Sequence, residues 1–362
     1  MKEKSDITPE NIIVIKDEYY YCINNLIYKG EKSEIYRGRQ KTNNIIDSNN
    51  SYSSALTICV KKEPPFLKYP ELEKEYLILE KMQTFLEKDE TGNIPCPFIP
   101  KIYKFFKSDD SPSFLIEQLL GNSVDTIFKM CRRKFTIMAT LNIIKQMLDI
   151  IQKLHEKDVI HRNLNPTKFL FGKEETTDIL MSKQIKKEIN IDSKSQLYLV
   201  DYAEAKFYKN DLQSIKDSKN IEHIEFDDKV KDFSFTNKYF CSIWAELKME
   251  QSRRDDLYSL FYIMIYLLVG KLPWIGIKGK NKEDKREKIR NLKLCLSNFE
   301  LCKNVNKIIV NEVELFVFYL NGLSFKDEPN YNYLVQLIDE MILKVVKTND
   351  IEHICPTITI KN

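Results

Sequence analysis

Apolar and polar residues alternate through 22–38 and again through 56–62, with β-branched and aromatic side chains enriched, as in half-buried strands. Between them lies QKTNNIIDSNNSYSSA, 40–55, an Asn- and Ser-rich segment expected to be a disordered hairpin tip. Pro64, Pro65 and Pro70 interrupt the chain, and the period then changes. Over 71–89 the positions Leu72, Tyr76, Leu79, Met82 and Leu86 share one helical face. SFLIEQLLG, 113–121, predicts a strand ending at Gly121. From residue 136 the pattern turns helical, with helices expected over 140–158, from Leu257, and twice after 305. Two polar inserts, 173–195 and 209–236, break this pattern and are expected to be mobile or docked on the surface. Strands first and helices afterwards indicate an α+β chain of two segregated lobes.

Composition narrows the function classes. Of 362 residues, 43% are hydrophobic, enough for a large core. The net charge of +3 argues for neither a nucleic-acid nor a membrane partner, and the lysines are not interleaved with aromatics as in nucleic-acid binders. The N-terminal MKEKSDITPE lacks an apolar segment, so no secretory signal is expected. The longest apolar run, LYSLFYIMIYLLVG, is too short for a bilayer and reads as a buried helix. Eight cysteines without a C-x-x-C pair, and four histidines without helical spacing, suit reduced thiols in the cytoplasm or nucleus rather than a zinc site.

The chemistry concentrates in VIHRNLNPTKFLFG, 159–172. It resembles the catalytic loop of a protein kinase, H-R-D-x-x-x-x-N, with the Asp replaced by Asn163 and the metal-binding Asn by Lys168. Asn165 stands where Ser/Thr kinases usually carry a Lys. LLGNSVDTIFKMCRRKF (119–135), EQSRRDDLYSLFYIMIYLLVGKLPW (250–274) and FKDEPNYNYLVQL (325–337) are similar to segments of the casein kinase I family, and the likeness covers residues 20–340. It implies a bilobal protein-kinase fold. An extension, 1–20, would precede a kinase-like domain over 21–350, divided into an N-lobe 21–117, a hinge 118–121 and a C-lobe 122–350; a tail, 351–362, would follow.

The same resemblance assigns the nucleotide site. Lys61 is the strand lysine and Glu75 its helix partner, although a Lys and a Glu fourteen positions apart also read as two solvated charges. Asp201, in VDYAEAKFY, is the metal-binding acid, with Ala203 replacing the usual glycine and its freedom of φ. Tyr28, Gly30 and Ser33 occupy the three glycine positions of the phosphate loop, which weakens backbone cradling of phosphates. Lys29 and Lys32 either compensate with charge or point to solvent. Counting back from Leu119 places Glu117 behind the adenine, with Lys61 as its nearest partner. A one-residue shift would put Ile116 there instead. Arg253, Asp255 and Asp256 are implied as the buried charges that tie a helix to the catalytic loop, and Trp274 reads as core. Tyr239 replaces an arginine that the family uses to read phosphorylated substrates; Lys278 and Lys280 either retain some positive charge for that role or form a solvated face.

Asn163 has neither the charge nor the basicity of the carboxylate it replaces, a loss of ~10²–10⁴-fold for a positioned base. Asn165 removes a cation from the transferring phosphoryl. Lys168 puts a cation where a metal ligand belongs, and is expected to pair with Asp201. The resulting reading is a casein-kinase-I-like pseudokinase that binds a protein partner, with weak ATP or ADP binding and doubtful Mg²⁺. The alternative is a divergent active Ser/Thr kinase acting on a protein substrate, with some other acid replacing Asn163. No Asp or Glu in the loop itself lies near enough in sequence to do so.

Overall fold

The computed structural model describes residues 11–14, 19–30, 32–42, 56–67, 70–84, 98–108, 110–172, 189–190, 196–209, 223–229, 237–348 and 357–358. Two compact units divide between Leu120 and Gly121. Most of 40–55 and of the two polar inserts lies outside the described residues, as do 85–89 and most of 1–20 and 351–362.

The first unit is an antiparallel sheet with one helix. Its strands are β1 (Asn11–Val14), β2 (Tyr19–Lys29), β3 (Glu34–Thr42), β4 (Thr57–Glu63), β5 (Ile102–Phe106) and β6 (Ser113–Gln118), in the order β1-β2-β3-β4-β6-β5. β3 runs on to Thr42, pairing with Tyr19 through Lys41 and Tyr20, so the polar segment begins later than its composition predicts. Likewise β6 stops at Gln118, short of Gly121. The period-two rule sorts β4 cleanly: Ile58 and Val60 pack with Ile116 of β6 on one face, against Tyr36, Tyr103, Phe106 and Phe114. The opposite face carries Cys59, Lys61 and Glu63, all buried.

The helix α1 (Leu72–Thr84) buries Leu72, Leu79 and Met82, as the sequence pattern requires. Tyr76 is only half-buried, stacked on Phe105 at a centroid distance of 4.5 Å. The position that completes the buried stripe is Glu75, one turn on from Leu72. The helix start is capped from the sheet. Glu63 Oε1 accepts from the amides of Glu71 (2.8 Å) and Leu72 (3.1 Å), placing a carboxylate at the positive end of the helix.

The second unit is mainly helical. Its helices are α2 (Val124–Met130), α3 (Ile137–Glu156), α4 (Ile243–Glu246), α5 (Arg253–Val269), α6 (Lys282–Cys295), α7 (Asn298–Cys302), α8 (Val310–Asn321) and α9 (Tyr331–Lys347). Short antiparallel pairs join β7 (Val159–Ile160) to β11 (Lys206–Phe207), β8 (Phe169–Phe171) to β10 (Leu197–Leu199), and β9 (Ile189–Asn190) to β12 (Thr357–Ile358). α3 starts at Thr136, whose hydroxyl accepts from the Ala139 amide at 3.1 Å. α5 is the buried helix expected from the apolar run: every side chain from Arg253 to Leu267 is buried. Its start is fixed by the Ser252 amide donating to Asp255 Oδ2 at 2.8 Å, and it ends at Gly270, whose φ of 91° is the left-handed stop that glycine supplies without strain. Among the described residues no helix is long and apolar enough to cross a membrane. Part of the second insert, 223–229, is docked: the Ile224 amide donates to Tyr208 O at 2.8 Å, and His223 and Phe226 pack edge-on to Phe325.

Candidate functional site

In the first unit, the cross-strand register decides what surrounds Lys61. Lys61 lies opposite Leu115, and Cys59 opposite Glu117. The Glu117 side chain therefore shares the face of Lys61, while Ile116 points into the apolar core on the other side. Lys61 Nζ is 2.7 Å from Glu75 Oε1 and 3.3 Å from Glu117 Oε1, and all three side chains are at least nine-tenths buried. One ammonium thus serves two carboxylates. Cys59 lies against the same cluster, and its thiol is pushed well up by burial, with the Glu117 charge adding to the effect.

The phosphate-loop segment is closed on itself. The Gly30 amide donates to Ser33 O at 2.8 Å, and a Cβ at Gly30 would stand 3.1 Å from the Tyr28 ring, a close fit that a larger residue would crowd. Both loop lysines are ion-paired, although the Lys29 side chain remains 70% exposed. Lys29 pairs with Glu34 at 2.8 Å, which holds that carboxyl below its ordinary range, and Lys32 pairs with Glu71. Leu119, on the chain beyond β6, is buried.

In the second unit, the loop after β7 is shaped by backbone anchors. Asp256, in the first turn of α5, accepts from the amides of His161 (2.7 Å) and Arg162 (2.9 Å), and from His155 Nε2 at 3.0 Å. Burial opposes the Asp256 charge, but these donors and the neighbouring imidazoles outweigh it and lower the carboxyl below its usual range. Arg253 does not take part in this tie: it donates to Lys326 O at 2.9 Å and lies over the Tyr208 ring. Asp255 bonds the Ser252 amide and the Ser242 hydroxyl, holding the two ends of the segment that precedes α5. Asn237 Nδ2, buried, donates to Leu164 O at 2.7 Å.

The degenerate positions are brought together. Lys168 Nζ makes an ion pair with Asp201 Oδ2. Asp201 itself is left-handed, with φ of 68°, a region that Asp tolerates better than most residues, whereas Ala203 is not. Asn165 is tied into its own loop: its Oδ1 accepts from the Thr167 amide at 3.0 Å, and its Nδ2 donates to Asn163 O at 3.1 Å. Asn163, buried, donates from Nδ2 to Glu204 Oε1 at 3.3 Å. So an acid does stand beside Asn163, supplied from outside the loop. It comes from 41 positions further along the chain. His161 is buried against Tyr202, with ring centroids 5.1 Å apart, and burial lowers its pKa.

Trp274 is buried and donates to Tyr239 O at 2.8 Å, and Lys238 and Lys285 lie over the Tyr239 ring at 5.3 and 5.9 Å. Lys280 lies at the start of α6, its amide donating to Asp284, and Lys278 O accepts from Lys288 at 3.5 Å. Sequence reading missed Glu63, Asn237 and Glu204. Glu63 carried a signal in KKEPP, an acid just ahead of a helix start; the other two carried none.

The protein kinase domain family matches residues 60–347. Casein kinase I homologue 2 of Schizosaccharomyces pombe is 31% identical over 331 residues, covering 91% of this chain and 64% of that protein. Casein kinase I homologue 3 of Saccharomyces cerevisiae is 30% identical over 323 residues, 88% of this chain and 56% of its own length. A probable casein kinase I homologue of Encephalitozoon cuniculi is 32% identical over 246 residues, 67% of this chain and 70% of its length. The chain spans less than two thirds of the length of the first two relatives. With the antiparallel sheet of its first unit and the helical second unit, this chain belongs to the casein kinase I family of protein kinases and has the α+β bilobal kinase fold.

Proposed function

We propose that this casein-kinase-I-like chain acts by binding a protein partner, with nucleotide bound weakly at most, and does not transfer phosphate. The observation that carries the reading is the ammonium of Lys168 on the carboxylate of Asp201. Magnesium, which the family implies, calls for several oxygen donors. Here one carboxylate stands at that place, already charge-compensated, and the second family ligand is a cation. The donor set does not fit the ion. Asn163 supports the same reading, since an amide cannot take the proton of an attacking hydroxyl. Asn165 spends its hydrogen bonds inside the loop and brings no charge to a phosphoryl group.

The test is transfer of labelled phosphate from ATP to acidic, casein-like peptides. The chain should stay at the no-enzyme level. Turnover that Asp201→Ala abolishes would refute the reading. A second reading, a divergent active protein kinase, is favoured by one contact: Glu204 Oε1, 3.3 Å from Asn163 Nδ2, puts a half-buried carboxylate beside the position of the missing base. On that reading Glu204→Gln, which keeps the shape and removes the basicity, would abolish turnover.

A further inference from the structure

Lys61 is the residue on which a kinase-like site depends for phosphate binding, and its surroundings here are anionic. In a simple Lys–Glu pair the charges cancel and the ammonium keeps donors for an anion. In this sheet Glu117 adds a second carboxyl group at the one ammonium of Lys61. A polyphosphate brought to Lys61 meets that second acid where water is scarce and screening poor. Glu117 is also incompletely satisfied. Its Oε1 faces Lys61, but Oε2 is buried without a hydrogen-bond partner among the described residues, in a side chain only 4% exposed. A buried carboxylate oxygen lacking a donor is costly, and an N–H group that reaches it recovers that cost. The described hydrogen bonds on this face bring no donor to that oxygen: the Cys59 thiol opposite, kept protonated by burial, interacts with the Glu117 carboxylate only as a weak donor, and Leu119 beyond the strand is apolar.

We propose that Glu117 sets the ligand class of the first unit, disfavouring polyphosphates and favouring an uncharged heterocycle that donates an N–H, such as an aminopurine nucleoside. This rests on the preceding reading in placing a nucleotide-type site at Lys61, but it concerns binding alone and is independent of phosphate transfer. Two consequences separate it from a merely eroded site. Phosphates should add nothing to the affinity of adenosine, and removing one carboxylate should make them add.

The experiment measures dissociation constants for adenosine and ATP by titration calorimetry on the full chain, in EDTA, for the unmodified protein, Glu117→Leu and Glu117→Gln. The unmodified chain should bind ATP no more tightly than adenosine. Glu117→Leu, which leaves the Lys61–Glu75 pair intact, should shift the ATP-to-adenosine affinity ratio toward ATP by about tenfold or more, the effect of ~1.4 kcal/mol at one charged contact. Adenosine should weaken in the same variant. Glu117→Gln keeps the shape and should shift the ratio in the same direction while retaining adenosine; it carries the test if Glu117→Leu fails to fold. Tenfold tighter ATP than adenosine in the unmodified chain would overturn the proposal. So would an unchanged ratio in the folded variants, or no binding of either ligand by any of the three proteins. Phosphate transfer by the unmodified chain would refute the preceding reading and leave these ratios standing.

Discussion

Lys168→Asn replaces the ammonium on Asp201 with the amide that the family carries at this position. The two side chains are 22% and 33% exposed, so the pair lies between two limits. Full Coulomb attraction at ~4 Å with an effective dielectric near 20 is about 4 kcal/mol. An exposed pair contributes about 0–1 kcal/mol. A net value of roughly 1–2 kcal/mol is what a divalent ion must displace before it can use the carboxylate, about 5- to 30-fold in ion affinity. The assay is a thermal-shift titration with ATP, with and without Mg²⁺, closed by addition of EDTA. In the unmodified chain any shift should be small and insensitive to EDTA. In Lys168→Asn the shift should need both ATP and Mg²⁺, while phosphate transfer stays absent because Asn163 is untouched. If the unmodified chain shifts only with ATP and Mg²⁺ together, and EDTA reverses it, then Asp201 is an ordinary metal ligand and the argument from Lys168 fails.

Three further outcomes follow from the same geometry. The triple reversion Asn163→Asp, Asn165→Lys, Lys168→Asn should give measurable but partial phosphate transfer, because Tyr28 and Ser33 still occupy glycine positions; activity equal to that of an intact casein kinase I would show that the phosphate loop is not limiting. Asp256→Ala should destabilise the chain by about 3 kcal/mol or more in urea unfolding, since it strands the buried donors of His161, Arg162 and His155; a loss under about 1 kcal/mol would contradict its anchoring role. Burial raises the Asp255 carboxyl from 3.8 to about 6, against the pull of its Ser242 and Ser252 donors. The folded chain then holds an extra proton between these values, so this group's contribution falls as pH rises from 4 to 6, by at most about 3 kcal/mol. Asp255→Asn should flatten that stretch of the stability–pH curve, and an unchanged slope would show that Asp255 is ionised throughout.

What the sequence revealed and what it concealed divide along local and non-local lines. The Lys61–Glu75 pair was readable because both residues lie in one ungapped stretch, and α5 because its apolar run is long. The pairing of Lys168 with Asp201 followed from two substitutions seen together. Glu75 shows the limit of pattern reading: the apolar stripe pointed to Tyr76, yet the buried position is the acid, stabilised by a lysine on β4. The side chain beside Lys61 stayed open between Glu117 and Ile116 until the register of β4 and β6 put them on opposite faces. Glu204 was out of reach, because its approach to Asn163 depends on the turn after Asp201, which spacing does not encode. The same holds for the division of labour in α5, where adjacent Arg253, Asp255 and Asp256 serve three different segments.

The most direct test of the central claim is a crystal grown with ATP and Mn²⁺, the manganese located by its anomalous scattering. The account predicts that Lys168 Nζ stays on Asp201 and that no manganese peak lies within coordination distance of that carboxylate. A manganese ion bound to Asp201, with Lys168 turned away, would contradict it.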